Sequence, residues 1–313
     1  EVLDFARQCD VVTFEHELIP FDVIREIENQ GVKVFPSSRA FIYSQDKAAM
    51  RAKLVHFPGP ASRLIKEATD ISDFPVIAKA IRGGYDGRGV FKVDTKNELA
   101  DILTHTSPLL IEELINFDSE IAVMVARTPE GEVKSWVPVE TVQSDGICIY
   151  TVTPAQSISP EIADEAQRMA EAIATLVEVV GVMAVEMFVK GSQLFINELA
   201  MRPHNSGHWS IEGSATSQFE QHLRAILNLP LGSTELIHPF IVMGNVLGGV
   251  RSAPFSDTSF VSMNFPEMYI HDYRKEVRPG RKIGHITQCG PEVIQLISNV
   301  QRARDYLSGV IDG

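Results

Sequence analysis

Surplus positive charge is missing from this sequence. Lys and Arg total 28 against 41 Asp and Glu in 313 residues, a formal net charge of 28 − 41 = −13. That excludes a nucleic-acid binder held by non-specific phosphate contacts, which needs clustered surplus cations. A small anionic ligand needs only a local pocket of Arg and Lys and stays compatible. Long apolar runs are missing too. None approaches the roughly 18–20 residues of a membrane span, and the longest stretch, Leu176 to Val189, is interrupted by Glu178 and Glu186. Cysteine is scarce. Cys9, Cys148 and Cys289 are odd in number, far apart and without metal-ligand spacing, so reduced thiols in a cytoplasmic setting are expected. No signal-peptide pattern, internal repeat or low-complexity tract is visible. The sequence starts on Glu1 rather than Met and enters directly into amphipathic sequence, so a preceding segment is expected.

What is present suits a folded core. Hydrophobic residues make up 44% and charged residues 22%, ordinary for a globular protein. At roughly 150 residues per domain the length suggests about two domains. Residues 1–36 read as helix (Val2 to Ala6), strand (Asp10 to Phe14), helix (Phe21 to Gln30, stopped by Gly31) and strand (Val32 to Pro36). That alternation predicts a parallel α/β layer. Further along, helices are expected over Ser44–Leu54, Ser159–Val180, Ser217–Leu227 and near Pro291–Leu307. Strands are expected over Pro75–Ala80, Val90–Val93, Leu109–Glu113, Glu120–Ala126 and Val133–Val142. A hairpin of Val182–Val189 with Gln193–Glu198 follows, and after Pro230 the pattern shifts to short strands and glycines.

Four local patterns carry chemistry. Lys79 to Gly89 holds four glycines and three cations in eleven residues. Glycines let backbone N–H groups approach a phosphate closely, yet a glycine-rich hairpin without ligand explains the same composition. Glu186 interrupts one apolar strand and Glu198 ends the facing one. Mg²⁺ takes few protein carboxylates and fills its shell with water and phosphate oxygens, so two glutamates on one sheet face would make a nucleotide-metal site. Strand alternation brings them to one face with a three-residue turn (Lys190, Gly191, Ser192), and that turn is expected. A two-residue turn would set Glu186 against Asn197 and leave Glu198 on the other face. One solvated and one salt-bridged glutamate is the plainer alternative.

Directly after the hairpin, Arg202-Pro203-His204-Asn205-Ser206-Gly207-His208-Trp209 is dense in donors able to clamp a planar oxyanion. A capped polar loop is the plainer alternative. His204 and His208 have zinc-pair spacing on a helix, but Pro203 and Gly207 oppose a helix and no third ligand is near. Last, Tyr273 to His285 packs five cations into nine residues of an acidic chain. This suggests a phosphate monoester site, although basic surface turns are common.

Gly83-Gly84-Tyr85-Asp86-Gly87-Arg88-Gly89, then Asn197-Glu198 with Arg202 to Trp209, then Lys275-Glu276-Val277-Arg278-Pro279-Gly280-Arg281-Lys282, in that order, resemble the 5-(carboxyamino)imidazole ribonucleotide synthases, an ATP-grasp family of purine biosynthesis. The resemblance runs from about Asp10 to Gly313. It implies an α/β (α+β) chain: an ATP-grasp domain over 37–230 with a lid subdomain near 55–110, a truncated Rossmann-like N-terminal remnant at 1–36, and a small β-rich C-terminal domain at 231–313. It implies ATP-dependent joining of bicarbonate to 5-aminoimidazole ribonucleotide through carboxyphosphate, with Mg²⁺, in a cytoplasmic homodimer. Residue by residue, Lys47 and Lys79 would contact ATP phosphates under a loop of Gly84, Tyr85, Asp86, Gly87, Arg88 and Gly89. Glu112, Glu113, Leu114 and Ile115 would form the adenine hinge, while Glu120, Gln143 and Asn197 complete the nucleotide site. Glu186 and Glu198 would bind Mg²⁺, and Arg202, His204 and Asn205 would hold bicarbonate and carboxyphosphate. Tyr85, Lys275, Arg278, Arg281 and Lys282 would bind the ribonucleotide. The segment Thr13 to Glu17 would be what the first domain leaves at the site. The alternatives are another ATP-grasp ligase, such as a formate-dependent glycinamide ribonucleotide transformylase, or a nucleotide-binding module without turnover.

Overall fold

The computed structural model describes residues 1–83 and 89–311. The chain opens with α1 (Val2–Ala6), β1 (Val11–Val12), α2 (Phe21–Asn29) and β2 (Lys33–Val34), and β1 pairs parallel with β2 as the alternation predicts. The single helix expected over Ser44–Leu54 is two, α3 (Ser38–Gln45) and α4 (Lys47–Lys53). Asp46 separates them. Its backbone is extended (φ −127°, ψ 103°) and its side chain accepts from the Ala49 N–H, which caps α4 and starts it at Lys47.

A small antiparallel sheet comes next, from β3 (Ser62–Ile65), β4 (Val76–Ala80), β5 (Val90–Val93), helix α5 (Lys96–His105) and β6 (Leu109–Glu113), in the order β3-β6-β4-β5. Ile65, Ala78, Val93, Leu99 and Ile111 give it a core of its own. The main sheet has nine antiparallel strands. It begins with β7 (Ser119–Arg127), β8 (Val133–Ser135), β9 (Val139–Ser144) and β10 (Ile147–Thr153). The expected continuous strand Val133–Val142 is split at Trp136-Val137-Pro138. Trp136 turns into the core and donates its indole N–H to Ser214 Oγ at 3.0 Å, and Pro138 has no N–H to give a ladder. Strand β10 was not expected.

Helix α6 (Pro160–Leu176) is capped by Ser159 but ends four residues before the expected Val180. Glu178 takes a left-handed φ of 54°, and the Val179 N–H closes back on Ala174 O at 3.2 Å. The hairpin β11 (Gly181–Lys190) and β12 (Gln193–Ala200) follows, then α7 (Ser210–Gly213), α8 (Gln218–Ile226), β13 (Phe240–Leu247), α9 (Ser259–Asn264), β14 (Tyr269–Asp272), β15 (Lys282–Gly290) and α10 (Val293–Ser308). Strands β13 and β15, of eight and nine residues, are longer than the short strands expected there. They extend the main sheet in the order β12-β11-β7-β9-β10-β13-β15-β14, with β8 on β7.

One face of that sheet packs on α6 and the N-terminal elements, joining Phe14, Ile24 and Phe41 to Val123, Ile173 and Val185 in a single apolar cluster. The first 36 residues are therefore part of the core that supports the hairpin. Trp136, Trp209 and Ala225 fill the other face, and α10 covers β13 and β15 with Leu296, Val300 and Leu307. Among the described residues, no helix is long and apolar enough to cross a membrane.

Candidate active site

A cavity of about 800 Å³ lies between the small sheet, the main sheet and the segment His16–Phe21. Its floor is the β11–β12 hairpin, whose register is set in two steps. Lys190 pairs with Gln193, so the turn has two residues, Gly191 and Ser192, and not the three expected. Gly191 takes the positive φ (57°) that a tight turn of this kind needs at its first central position. Met187 then pairs with Ile196, but Glu186 pairs with Glu198: Asn197 is bulged out of the ladder. The bulge does what the longer turn was expected to do. It brings both glutamates to one face and turns Asn197 and Glu198 into the same cleft, since a bulge re-aims adjacent side chains.

Two of the hairpin side chains, Asn197 and Glu198, meet cations from other elements. Lys79 of β4 donates to Asn197 Oδ1 at 3.0 Å and pairs with Glu112 Oε2 at 2.8 Å. Lys47, first residue of α4, is in direct contact with Glu198 Oε1. Arg51, one turn further, donates to Glu112 Oε1 at 2.6 Å, Ile196 O at 2.7 Å and Asn197 O at 3.0 Å. Glu112 is thus the anion of a buried triad. Its side chain is 3% exposed, and although burial alone would raise its pKa, Lys79 and Arg51 outweigh that and hold it below the ordinary value. Burial, opposed by Glu112, lowers the Lys79 pKa.

Across the hairpin the balance reverses. Burial, then the Glu198 and Glu120 carboxylates, push Glu186 up to about 7. Glu186 stands opposite Glu198 in the ladder, and this pair of carboxylates fits a hard divalent cation that keeps several oxygen ligands of its own. Glu120, itself raised by burial, is hydrogen-bonded by Gln143.

The loop after β12 carries a dense set of polar side chains. His204 Nδ1 lies 2.8 Å from Ser206 Oγ, and Nε2 lies 3.4 Å from Glu186 Oε1. Burial, then Arg202, Lys282 and His208, press the His204 pKa well below its usual value, so it is a neutral imidazole. Arg202 donates to Glu17 Oε2 at 2.8 Å, and the Asn205 and Asn245 amides pair reciprocally at 2.7 Å. Gln218, fully buried, fixes the loop. It accepts from the His204 N–H at 2.8 Å and bonds His204 O (2.8 Å) and His208 Nδ1 (2.9 Å). Gly207 allows that approach, since a Cβ there would stand 2.6 Å from Gln218 Oε1. The polar loop therefore has no zinc geometry. Its turn is 3₁₀, and the His208 ring nitrogen is occupied by Gln218.

Lys47, Lys79, Glu112, Glu113, Leu114, Ile115, Glu120, Gln143, Glu186, Asn197, Glu198, Arg202, His204, Asn205 and Lys282 all line this one cavity. Lys275, Arg278 and Arg281 do not. Lys275 Nζ sits over the Tyr273 ring at 5.1 Å, Arg278 pairs with Glu276 at 2.5 Å, and Arg281 donates to Glu276 O at 3.2 Å. Gly89 is at the cavity's edge in sequence, its carbonyl accepting from Ala80 N at 2.8 Å. Gly84, Tyr85, Asp86, Gly87 and Arg88 lie outside the described residues. Sequence reading did not single out Arg51, Glu17 or Gln218 individually, nor the stacked Phe117 and Phe188 rings (centroids 4.5 Å apart) that line the same cavity as residues 113–115. The cavity thus joins a flat apolar slot, a row of buried cations, a carboxylate pair and a donor-rich loop. That is the set needed to hold a nucleotide by its base, align its terminal phosphate and present a small acid to it.

The ATP-grasp domain family matches residues 54–219, and the phosphoribosylaminoimidazole carboxylase C-terminal domain family matches residues 241–299. The N5-carboxyaminoimidazole ribonucleotide synthase of Mycobacterium tuberculosis is 41% identical over 319 residues, covering 97% of this chain and 74% of that protein. The protein of the same name from Corynebacterium ammoniagenes is 38% identical, covering 98% and 79%. Among solved structures, carboxyaminoimidazole ribonucleotide synthase from Aspergillus clavatus complexed with ATP superposes with a TM-score of 0.89 at 33% identity, covering 99% of this chain and 85% of that one. A complex of the Aspergillus clavatus N5-carboxyaminoimidazole synthase with ADP and 5-aminoimidazole ribonucleotide gives 0.87 at 32% identity, covering 98% and 84%.

Proposed function

The chain belongs to the N5-carboxyaminoimidazole ribonucleotide synthase family of ATP-grasp ligases, and from that premise we propose that its cavity phosphorylates bicarbonate and passes the carboxyl group to the amino nitrogen of 5-aminoimidazole ribonucleotide. The overall reaction is an ATP-dependent carbon–nitrogen ligation of purine biosynthesis. The observation that carries the residue-level reading is the bulge at Asn197, which aligns Glu186 with Glu198 beside Lys47, Lys79 and the Arg202–Asn205 loop.

Bicarbonate is a poor electrophile. A bicarbonate oxygen attacks the γ-phosphorus, the bond to the ADP oxygen breaks, and carboxyphosphate results. The ribonucleotide nitrogen then attacks the carboxyl carbon, phosphate leaves, and the amine gives up a proton. The difficulty in the first step is that two anions must meet. Lys47 and Lys79 offset charge on the phosphates, while Arg202 and the Asn205 amide hold the acid in line. His204, kept neutral by burial, holds a proton at Nε2 when Nδ1 accepts from Ser206 Oγ–H, and so presents a donor to the bound oxyanion. Glu186 and Glu198 are the residues proposed to hold Mg²⁺, which supplies charge neutralisation at the phosphate oxygens when bound. Of the expected hinge, Glu113, Leu114 and Ile115 with Phe117 and Phe188 take the adenine, whereas Glu112 is held by Arg51 and Lys79 instead; Glu120 with Gln143 takes the ribose.

Lys282 is proposed as the ribonucleotide-phosphate contact nearest the chemistry, with Lys275, Arg278 and Arg281 as an outer set. A cytoplasmic homodimer, divided at 36 and 230, completes the reading. The formate-using ligase and the non-catalytic module are set aside, because the matched relatives carry the synthase name over most of their length.

The test is isotopic. With bicarbonate labelled in heavy oxygen, ATP and 5-aminoimidazole ribonucleotide, one labelled oxygen is expected in the phosphate released. Carboxylated product accompanied by unlabelled phosphate would exclude the carboxyphosphate route.

A further inference from the structure

Behind the oxyanion loop, away from the nucleotide, a second polar cluster has no role in the reaction described above. His271 on β14 and His285 on β15 are direct cross-strand partners. Their rings stack with centroids 4.2 Å apart and planes at 13°. Glu212, in the short helix α7, reaches the pair from outside the sheet, its Oε1 lying 2.6 Å from His271 Nε2. One ligating atom from each of the three residues lies within 4.8 Å of the others.

Two of these groups are buried and lack a partner. Glu212 Oε2, on a side chain 8% exposed, and His285 Nε2, on a residue 2% exposed, have no hydrogen-bond partner among the described residues. A buried polar atom left this way costs about 1–3 kcal/mol, and here two such atoms come from the same three-residue cluster. The third residue, His271, is 32% exposed, which gives the cluster a path to solvent.

We propose that Glu212, His271 and His285 form a binding site for a borderline divalent transition metal of the zinc class, with water as fourth ligand from the exposed side of His271. Two imidazoles and one carboxylate are a ligand set that zinc accepts in open sites. Nitrogen donors favour it over Mg²⁺. Bonds of about 2.0–2.1 Å in a tetrahedron space the ligand atoms about 3.3 Å apart. Binding therefore requires Glu212 and the part-exposed His271 to turn out of their present hydrogen bond toward His285 Nε2, with the metal taking that bond's place. An outer contact is already in place: Tyr273 Oη lies 2.7 Å from His285 Nδ1, which leaves Nε2 as the free nitrogen and fixes the ring. The site joins α7 to β14 and β15, and the His208 ring lies 5.1 Å from that of His285, so metal here would brace the back of the oxyanion loop.

The test uses chelator-treated protein titrated with Co²⁺ in excess Mg²⁺ and ATP, so that the nucleotide site is filled. The expected result is one equivalent of Co²⁺ with the intense visible absorption of four-coordinate geometry, displaced by Zn²⁺. Zn²⁺ should also raise the melting temperature. His271→Ala and Glu212→Gln should each weaken Co²⁺ binding at least about tenfold, and Glu198→Gln should leave it unchanged. If Glu212→Gln fails to fold, the part-exposed His271→Ala still reports. Absence of the absorption, its persistence in His271→Ala, or its loss in Glu198→Gln would each overturn the proposal.

Discussion

Glu198→Gln is expected to lower ADP formation in the presence of bicarbonate and 5-aminoimidazole ribonucleotide by about 10²–10³-fold, the scale on which removing one preorganised electrostatic group acts. The amide has the shape of the carboxylate but cannot supply its charge to a cation. Glu198 is 37% exposed on its side chain, and the glutamine amide oxygen still accepts from the buried Lys47, so the fold should lose little. The substitution also relieves Glu186. Next to burial, the Glu198 charge is the largest cause of its pKa of about 7, and without it that pKa falls toward the ordinary carboxylate range. A coupled ADP assay with a melting curve on the same sample separates the two effects. Activity within tenfold of the parent would remove Glu198 from the proposed metal site, whereas a large fall in melting temperature would make it a structural residue.

Glu112→Ala should destabilise the protein by about 3–5 kcal/mol, the cost of deleting one partner from a buried ion cluster. Lys79 and Arg51 would be left facing each other, each 8% exposed on its side chain, with no anion between them. Arg51 also holds the Ile196 and Asn197 carbonyls, so the loss reaches the bulge that aligns the glutamates. Urea unfolding measures the change, and nucleotide affinity should fall with it. The pH dependence has a defined sign. Because the folded-state Glu112 pKa is held below its usual 4.5, the cluster stabilises the fold fully above that value. The contribution disappears as pH falls through the lower folded-state pKa. A loss below 1 kcal/mol in Glu112→Ala would show that the triad does not hold the two sheets together.

The parts of the site legible in the sequence are those in which composition departs from its surroundings. A glutamate inside the apolar run Val182–Val189 and a donor-dense stretch after Asn197 announce themselves, and both line the cavity. Register was less accessible. The turn at Gly191-Ser192 was read one residue too long, because nothing in Ile196-Asn197-Glu198 marks a bulge; the glutamates share a face by a different route. Contacts between distant segments were not visible at all. Arg51 looks like any basic residue at a helix end until the fold carries Glu112 to it, and Gln218 looks like a first-turn glutamine until it faces His204 and His208. The basic stretch shows the limit of counting charges. Lys282 starts β15 and enters the cavity with the strand, while Glu276 engages Arg278 and Arg281 outside it.

Substrate-dependent ADP release tests the central claim most directly. With ATP and bicarbonate present, adding 5-aminoimidazole ribonucleotide should raise the rate of ADP formation, and formate with glycinamide ribonucleotide should not. Equal rates with and without 5-aminoimidazole ribonucleotide, or stimulation by the formate pair instead, would contradict the account.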